Sequence, residues 1–152
     1  MKHNLFLVLS FYVRFFTGWL PDATVTMQLR GWLYGRMMKK VGQNFQVAEQ
    51  VRLRGLENLA VGNNVYIGPN TTVLLRRGCE IGDNVLVGPN CVIVDANHGF
   101  DGTSYRFARG NSGKITIGEG AWLTSNVVVT QSAKVAPRIV VSPNHTVRRE
   151  SS

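Results

Sequence analysis

Cysteine is scarce, two residues in a chain of 152, and two cannot staple a small secreted scaffold. Charge is sparse as well, at 17% against 44% apolar residues, a balance foreign to a mostly disordered chain. The 16 glycines follow no period of three and no heptad runs through the sequence, which excludes collagen-like and coiled-coil architectures. The apolar run at residues 5–16 falls short of the ~20 residues of a membrane-spanning helix and carries Arg14. The segment after it, Thr17-Gly18-Trp19-Leu20-Pro21, makes a poor leader-peptide cleavage site. What remains is one domain, or one domain with a short extension.

Bases outnumber acids, 17 Lys and Arg against 9 Asp and Glu, for a formal charge of +8 that favours anionic partners. They are scattered, however. Arg30, Arg36, Lys39 and Lys40 form the densest stretch, followed by the pairs Arg52 with Arg54, Arg76 with Arg77, and Arg148 with Arg149. No base-reading motif, zinc finger or aromatic platform accompanies them, so nucleic acid is a poor fit. Phosphates on a cofactor, a sugar nucleotide or a lipid headgroup suit them better.

Residues 5–16 (LFLVLSFYVRFF) read as an apolar helix that packs on its own protein or a sister subunit. The competing reading is an interfacial membrane helix with Trp19 at headgroup depth. Pro21-Asp22 breaks it, and residues 23–40 read as a second helix whose Met27, Leu29, Trp32, Leu33 and Met37 mix with Arg36, ended by Gly42. Residues 1–40 are thus a helical extension to residues 41–152.

From Val61 the chain repeats. The units are VGNNVY, IGPNTT, VLLRRG and, after a two-residue slip, IGDNVL, VGPNCV, IVDANH; then, beyond an interruption at residues 99–116, IGEGAW, LTSNVV, VTQSAK, VAPRIV, VSPNHT and VRRESS. All twelve begin with Val, Ile or Leu. The second position holds Gly62, Gly68, Gly82, Gly88 and Gly118, and the fourth Asn64, Asn70, Asn84, Asn90, Asn126 and Asn144. Gly and Asn tolerate positive φ, so each unit holds a short strand and a corner. An aliphatic at position one and a small or β-branched residue at position five describe a narrow interior of stacked side chains, which a parallel β-helix has.

These units resemble those of the hexapeptide-repeat acyltransferases. IGDNVLVGPNCVIVDANHGF followed by ITIGEGAWLTSNVVV is similar to the branch holding maltose and galactoside O-acetyltransferases and the O-acetyltransferases of polysaccharide biosynthesis, over residues 41–129. The resemblance implies an all-β repeat, a left-handed parallel β-helix of three strands per coil, working as a homotrimer with clefts between subunits. It also implies acetyl-CoA as cosubstrate, a sugar or glycan acceptor, and the cytoplasm as the place of work, with peripheral membrane contact through the amino-terminal helix left open.

Catalysis needs a base, and the chain has three histidines. His98 closes IVDANH where the loop at 99–116 leaves the scaffold, and it takes the position of the family's catalytic histidine. His98 then takes the proton of the attacking acceptor hydroxyl and returns it to the departing CoA thiolate, without an acyl-enzyme, while backbone N–H groups hold the oxyanion. His3 is expected in a frayed terminus, and His145, at position five, partly buried or capping. Asp95 orients the imidazole or binds acceptor, or else caps a corner. Asn70 aligns with an acceptor-binding asparagine and is equally the ordinary corner residue; Trp122 matches a tryptophan walling the family's site, or else packs between subunits. Ser125 matches a CoA contact, or else is a solvated turn. Arg76 stands where the branch has an acidic residue, and with Arg77 it suits an anionic sugar or phosphate.

Cys91 falls at an inward position five and reads as a packed small hydrophobe, too far in coil position from Cys79 for a disulfide. Phe100, Tyr105, Arg106, Phe107 and Arg109 belong to a loop that covers the pocket and reaches CoA phosphates or the acceptor. A metal is not expected, since the zinc-dependent β-helix enzymes need three stacked histidines. VAPRIV, VSPNHT and VRRESS keep the spacing without glycine, either as capping coils or as a diverged end. Two alternatives stay open: an N-acetyltransferase of an amino sugar nucleotide, and a catalytically weakened structural β-helix.

Overall fold

The computed structural model describes residues 2–149; Met1 and residues 150–152, the end of the unit VRRESS, lie outside them. From residue 41 onward the chain winds as a coil with three faces. The first face stacks β1 (Gln46–Val47), β4 (Tyr66–Ile67), β7 (Leu86–Val87), β10 (Trp122–Leu123) and β13 (Val140–Val141). The second stacks β2 (Arg52–Arg54), β5 (Thr72–Leu74), β8 (Val92–Val94), β11 (Val128–Val129) and β14 (Thr146–Val147). The third holds β3 (Leu59–Val61), β6 (Cys79–Ile81), β9 (Ile115–Ile117) and β12 (Lys134–Val135). All pairs are parallel, and each strand meets the same position of the coil above, as Ile67 meets Val87 and Val87 meets Leu123.

The hexad explains this geometry directly. Position six points outward and position one inward, so Ile67, Val73, Val87, Ile93, Leu123 and Val129 are sealed from solvent. Each such side chain contributes about 1.5–3 kcal/mol of burial free energy. Position five follows them inward with Val65, Thr71, Val85, Cys91, Ala121 and Val127. Position four turns the corner at positive φ, in Asn64 (53°), Asn70 (58°), Asn84 (58°) and Asn126 (60°). Asn side chains also ladder between coils, Asn44 to Asn64 and Asn64 to Asn84, each at 3.1 Å.

The repeat begins one coil earlier than Val61. Asn44 and Gln50 already turn at positive φ, and Phe45, Val47, Val51 and Leu53 already fill the interior. At the other end the units without glycine still coil, with Ser132 and Arg138 taking the left-handed corners and Val135 and Val141 buried. The two-residue slip is a widened corner between the second and third faces. In one coil a short 3-10 turn (Leu56–Asn58) fills it, and in the next Arg76, Arg77 and Gly78 do. The loop of residues 99–112 leaves from this same corner one coil higher.

Two helices close the lower end, α1 (Lys2–Thr17) and α2 (Thr24–Gly35). The second ends five residues before the sequence pattern suggests. Met37 caps on Tyr34, and the N–H groups of Lys39 and Lys40 turn to the carbonyl of Leu59, so the first coil captures the backbone before the helix reaches Lys40. Gly31 lies so close to Phe45 that a β-carbon would meet its carbonyl oxygen at 1.9 Å. Arg30, 2% exposed, donates to the carbonyls of Thr17, Leu20 and Val47 and to Asp22, tying both helices to the coil. No helix among the described residues is long and apolar enough to cross a membrane. α1 does pack on its own chain through Phe6 and Val13, yet Val8, Phe11, Tyr12, Phe15 and Phe16 on its other side remain exposed.

Candidate active site

His98 follows β8, four residues beyond the last strand position, and its side chain is exposed at the mouth of a cleft of about 360 Å³. The second face forms the floor through Leu74, Val94 and Arg54, and the first turns of α1 form a wall through His3 and Leu7. His3 is therefore not frayed. It sits in the helix, its Nδ1 2.6 Å from Glu57 Oε1 on the widened corner, and this contact clamps the wall to the coil.

The backbone that carries His98 is fixed by the stem of the loop. Ala96 bridges Ser112 in antiparallel fashion, the Asn97 N–H donates to the Asn111 carbonyl at 3.0 Å, and the Asn111 N–H returns to Asn97 Oδ1 at 2.9 Å. Gly110 passes so close that a β-carbon would stand 1.8 Å from the Asn97 carbonyl oxygen, which only glycine permits. Further out, Phe100 and Tyr105 pack ring on ring at 4.9 Å, and Asp101 folds the tip by accepting from Thr103 and Ser104. Those hydrogen bonds hold its carboxyl below the ordinary aspartate range. Phe107 is 83% exposed.

Asp95 is fully buried beneath His98 but turns the other way. Its two oxygens accept from the N–H groups of Arg76, Arg77 and Gly78 at 2.6 to 2.9 Å. Of the readings open in the sequence, the corner cap describes these contacts; the carboxylate makes no hydrogen bond to the imidazole. Asp95 also lines the cleft, and it fixes the corner from which Arg76 enters it.

The other predicted residues are not brought to His98 within one chain. Asn70 turns the corner between the first and second faces at φ 58°, exposed. Ser125 lies at the same corner two coils above, its carbonyl accepting from Asn144. Trp122, 46% exposed, stands outward on the first face. His145 is exposed rather than partly buried, and no coil among the described residues covers its position five. Cys91 is buried, its thiol donating to the Thr124 carbonyl, and burial raises its pKa. Cys79 is pushed up to about 12 by burial, with the Asp95 and Glu80 charges adding, so neither thiol offers a thiolate near neutrality. No cluster of metal-ligating residues occurs among the described residues.

The cleft also holds Leu7, which sequence reading did not single out, and Arg54, which it placed only among the scattered bases. Their signals were present: His3 and Leu7 stand one helical turn apart, and Arg54 is the outward residue in register with Leu74 and Val94.

The sequence matches no protein-family model and no curated protein. Solved structures do match. A hexapeptide-repeat acetyltransferase of Vibrio cholerae O1 biovar eltor, complexed with acetyl coenzyme A, superposes with a TM-score of 0.79 at 21% identity, over 96% of this chain and 78% of that one. A maltose O-acetyltransferase from Clostridium difficile 630 gives 0.76 at 21%, over 98% and 80%. A galactoside acetyltransferase in complex with coenzyme A gives 0.66 at 22%, over 97% and 81%. The fold is thus the left-handed β-helix of hexapeptide-repeat acetyltransferases, carried here with its two helices.

Proposed function

We propose that this chain is an acetyl-CoA-dependent O-acetyltransferase acting on a sugar or glycan precursor. The observation that carries the reading is His98, the histidine held by a clamped loop stem at the mouth of a cleft, on a fold shared with acetyltransferases solved with acetyl coenzyme A or coenzyme A. In this reaction the neutral imidazole accepts the proton of the acceptor hydroxyl as its oxygen bonds to the thioester carbonyl carbon. Backbone N–H donors stabilise the oxyanion, the carbon–sulfur bond breaks, and the imidazolium returns its proton to the CoA sulfur. The products are an acetyl ester and free CoA thiol, with no acyl-enzyme. Acetyl-CoA supply puts the reaction in the cytoplasm.

The working form we infer is a homotrimer. Asn70, Trp122 and Ser125 contribute to an acceptor and CoA site only if a neighbouring copy presents them to His98. In support, Tyr66, Leu86, Trp122 and Val140 form one outward column on the first face, three of them exposed. Side-by-side packing of three prisms would cover such a column.

Calorimetric titration with CoA, beside thiol release from acetyl-CoA with a panel of sugars, tests the reading. His98→Ala should retain CoA affinity within about twofold while losing about 10²–10⁴-fold in acceptor-dependent turnover. Absence of CoA binding at millimolar concentration would overturn the enzymatic reading.

A further inference from the structure

We propose that the acceptor carries a phosphate, bound by Arg54 and Arg76 beside His98; this rests on the acetyltransferase reading above. Both arginines line the His98 cleft, one from β2 and the other from the widened corner after β5 on the next coil. Arg54 pairs in register with Leu74, two residues before Arg76, so the two guanidiniums start from neighbouring levels of the same face. Neither has a carboxylate within ion-pair distance among the described residues.

Nor, His98 aside, do the carboxylate and amide oxygens lining the cleft stay free for the hydroxyls of a neutral sugar. Asp95 is buried with both oxygens engaged by the corner N–H groups, and Asn97 Oδ1 accepts from the Asn111 N–H; Glu57, outside the lining, meets His3 through Oε1 while its Oε2 is buried without a partner. A cleft rich in donors and poor in acceptors selects an anion. A carboxylate is satisfied by one guanidinium fork, whereas a tetrahedral phosphate has oxygens for two forks approaching from different coils.

The basic lining also continues. Beyond Arg54 a second trough of about 170 Å³ runs under α1, lined by Arg14 and Arg52, and again no ion pair engages either among the described residues. Four unpaired guanidiniums in succession repel one another unless an anion lies along them, and a diphosphate has the reach to do so. A phosphate-linked sugar therefore places its diphosphate along Arg76, Arg54 and Arg52 and its hydroxyl at His98.

The test is direct binding, with full-length protein, of inorganic pyrophosphate, UDP and farnesyl diphosphate by calorimetry, in the absence and presence of saturating CoA. Arg54→Gln and Arg76→Gln should each weaken pyrophosphate binding about tenfold, while Lys39→Gln, outside the lining of both troughs, leaves it unchanged. Binding should persist with CoA bound. Tighter UDP assigns the phosphate to a nucleotide sugar and tighter farnesyl diphosphate to a lipid-linked one; either supports the proposal. Pyrophosphate that fails to bind, or that CoA displaces, overturns it, since the arginines would then serve nothing or serve CoA itself. Failure of CoA binding, by contrast, removes the acetyltransferase reading and leaves the pyrophosphate result to stand alone.

Discussion

Asp95 shows how one side chain sets the geometry around His98 without touching it. A buried carboxylate is tolerated because three backbone donors converge on it, and removing it leaves at least the buried Gly78 N–H without a partner. Asp95→Ala should therefore cost about 3 kcal/mol, read as a lower denaturation midpoint, and should raise acceptor KM through Arg76 more than it changes CoA affinity. An unfolding midpoint within error of the parent would refute the cap. At this scale the sequence was legible where chemistry and position coincide: His98 is the histidine at the end of a regular hexad, beside an interruption. It was not legible where a long-range contact decides. His3 is ordered by Glu57, 54 residues away, and nothing near His145 in the sequence says that its side chain is exposed.

The helical extension and the β-helix meet through one buried charge. Arg30 is stabilised by carbonyls of three separate segments and by Asp22 at 2.6 Å, so its removal leaves those acceptors dry. Arg30→Met should release α1 and α2 from the coil at a cost of about 3 kcal/mol. The expected sign is rapid proteolytic cutting between residues 18 and 23 while the circular dichroism of the β-helix persists; simultaneous loss of both would show that the helices are integral to the coil's folding. The repeat itself was the clearest element in the sequence, because one period of six governs burial, corners and register together. The first coil fell inside the stretch from residue 41 read as resembling the repeat, although its unit VAEQVR lacks glycine and asparagine; Gln50 makes the same left-handed corner at φ 55°. The end of α2 was hidden: Met37 and the basic residues after it favour helix, and capture by the Leu59 carbonyl overrides that preference.

A single prism of this kind is narrow, and its two ends differ from its sides. The upper coil presents exposed Ser142, Pro143, Asn144 and His145, which offer no apolar surface for stacking, whereas the lower end is closed by α1 and α2 and leaves Phe11, Tyr12, Phe15 and Phe16 exposed. Among the sides, the first face offers an apolar column along Leu86 (41% exposed), Trp122 and Val140 (61%). A contact between this face and a different edge of the next copy would be heterologous, and the proposed homotrimer requires that it close after three copies rather than run on as a filament. Leu86 sits mid-column, between Tyr66 and Trp122, with no proposed role in catalysis. Leu86→Lys places a charge on each interface of the ring, three times per trimer, and desolvating an unpaired ammonium is far costlier than leaving it in water. The parent should sediment at three times the 16.8 kDa chain mass and the variant as a monomer. Its β-helix spectrum should be retained, with acceptor-dependent turnover falling at least ~100-fold because His98 loses the neighbour's Trp122 and Ser125. A variant that remains trimeric would move the interface off the first face, and a monomeric variant with full turnover would mean that one chain holds the whole site.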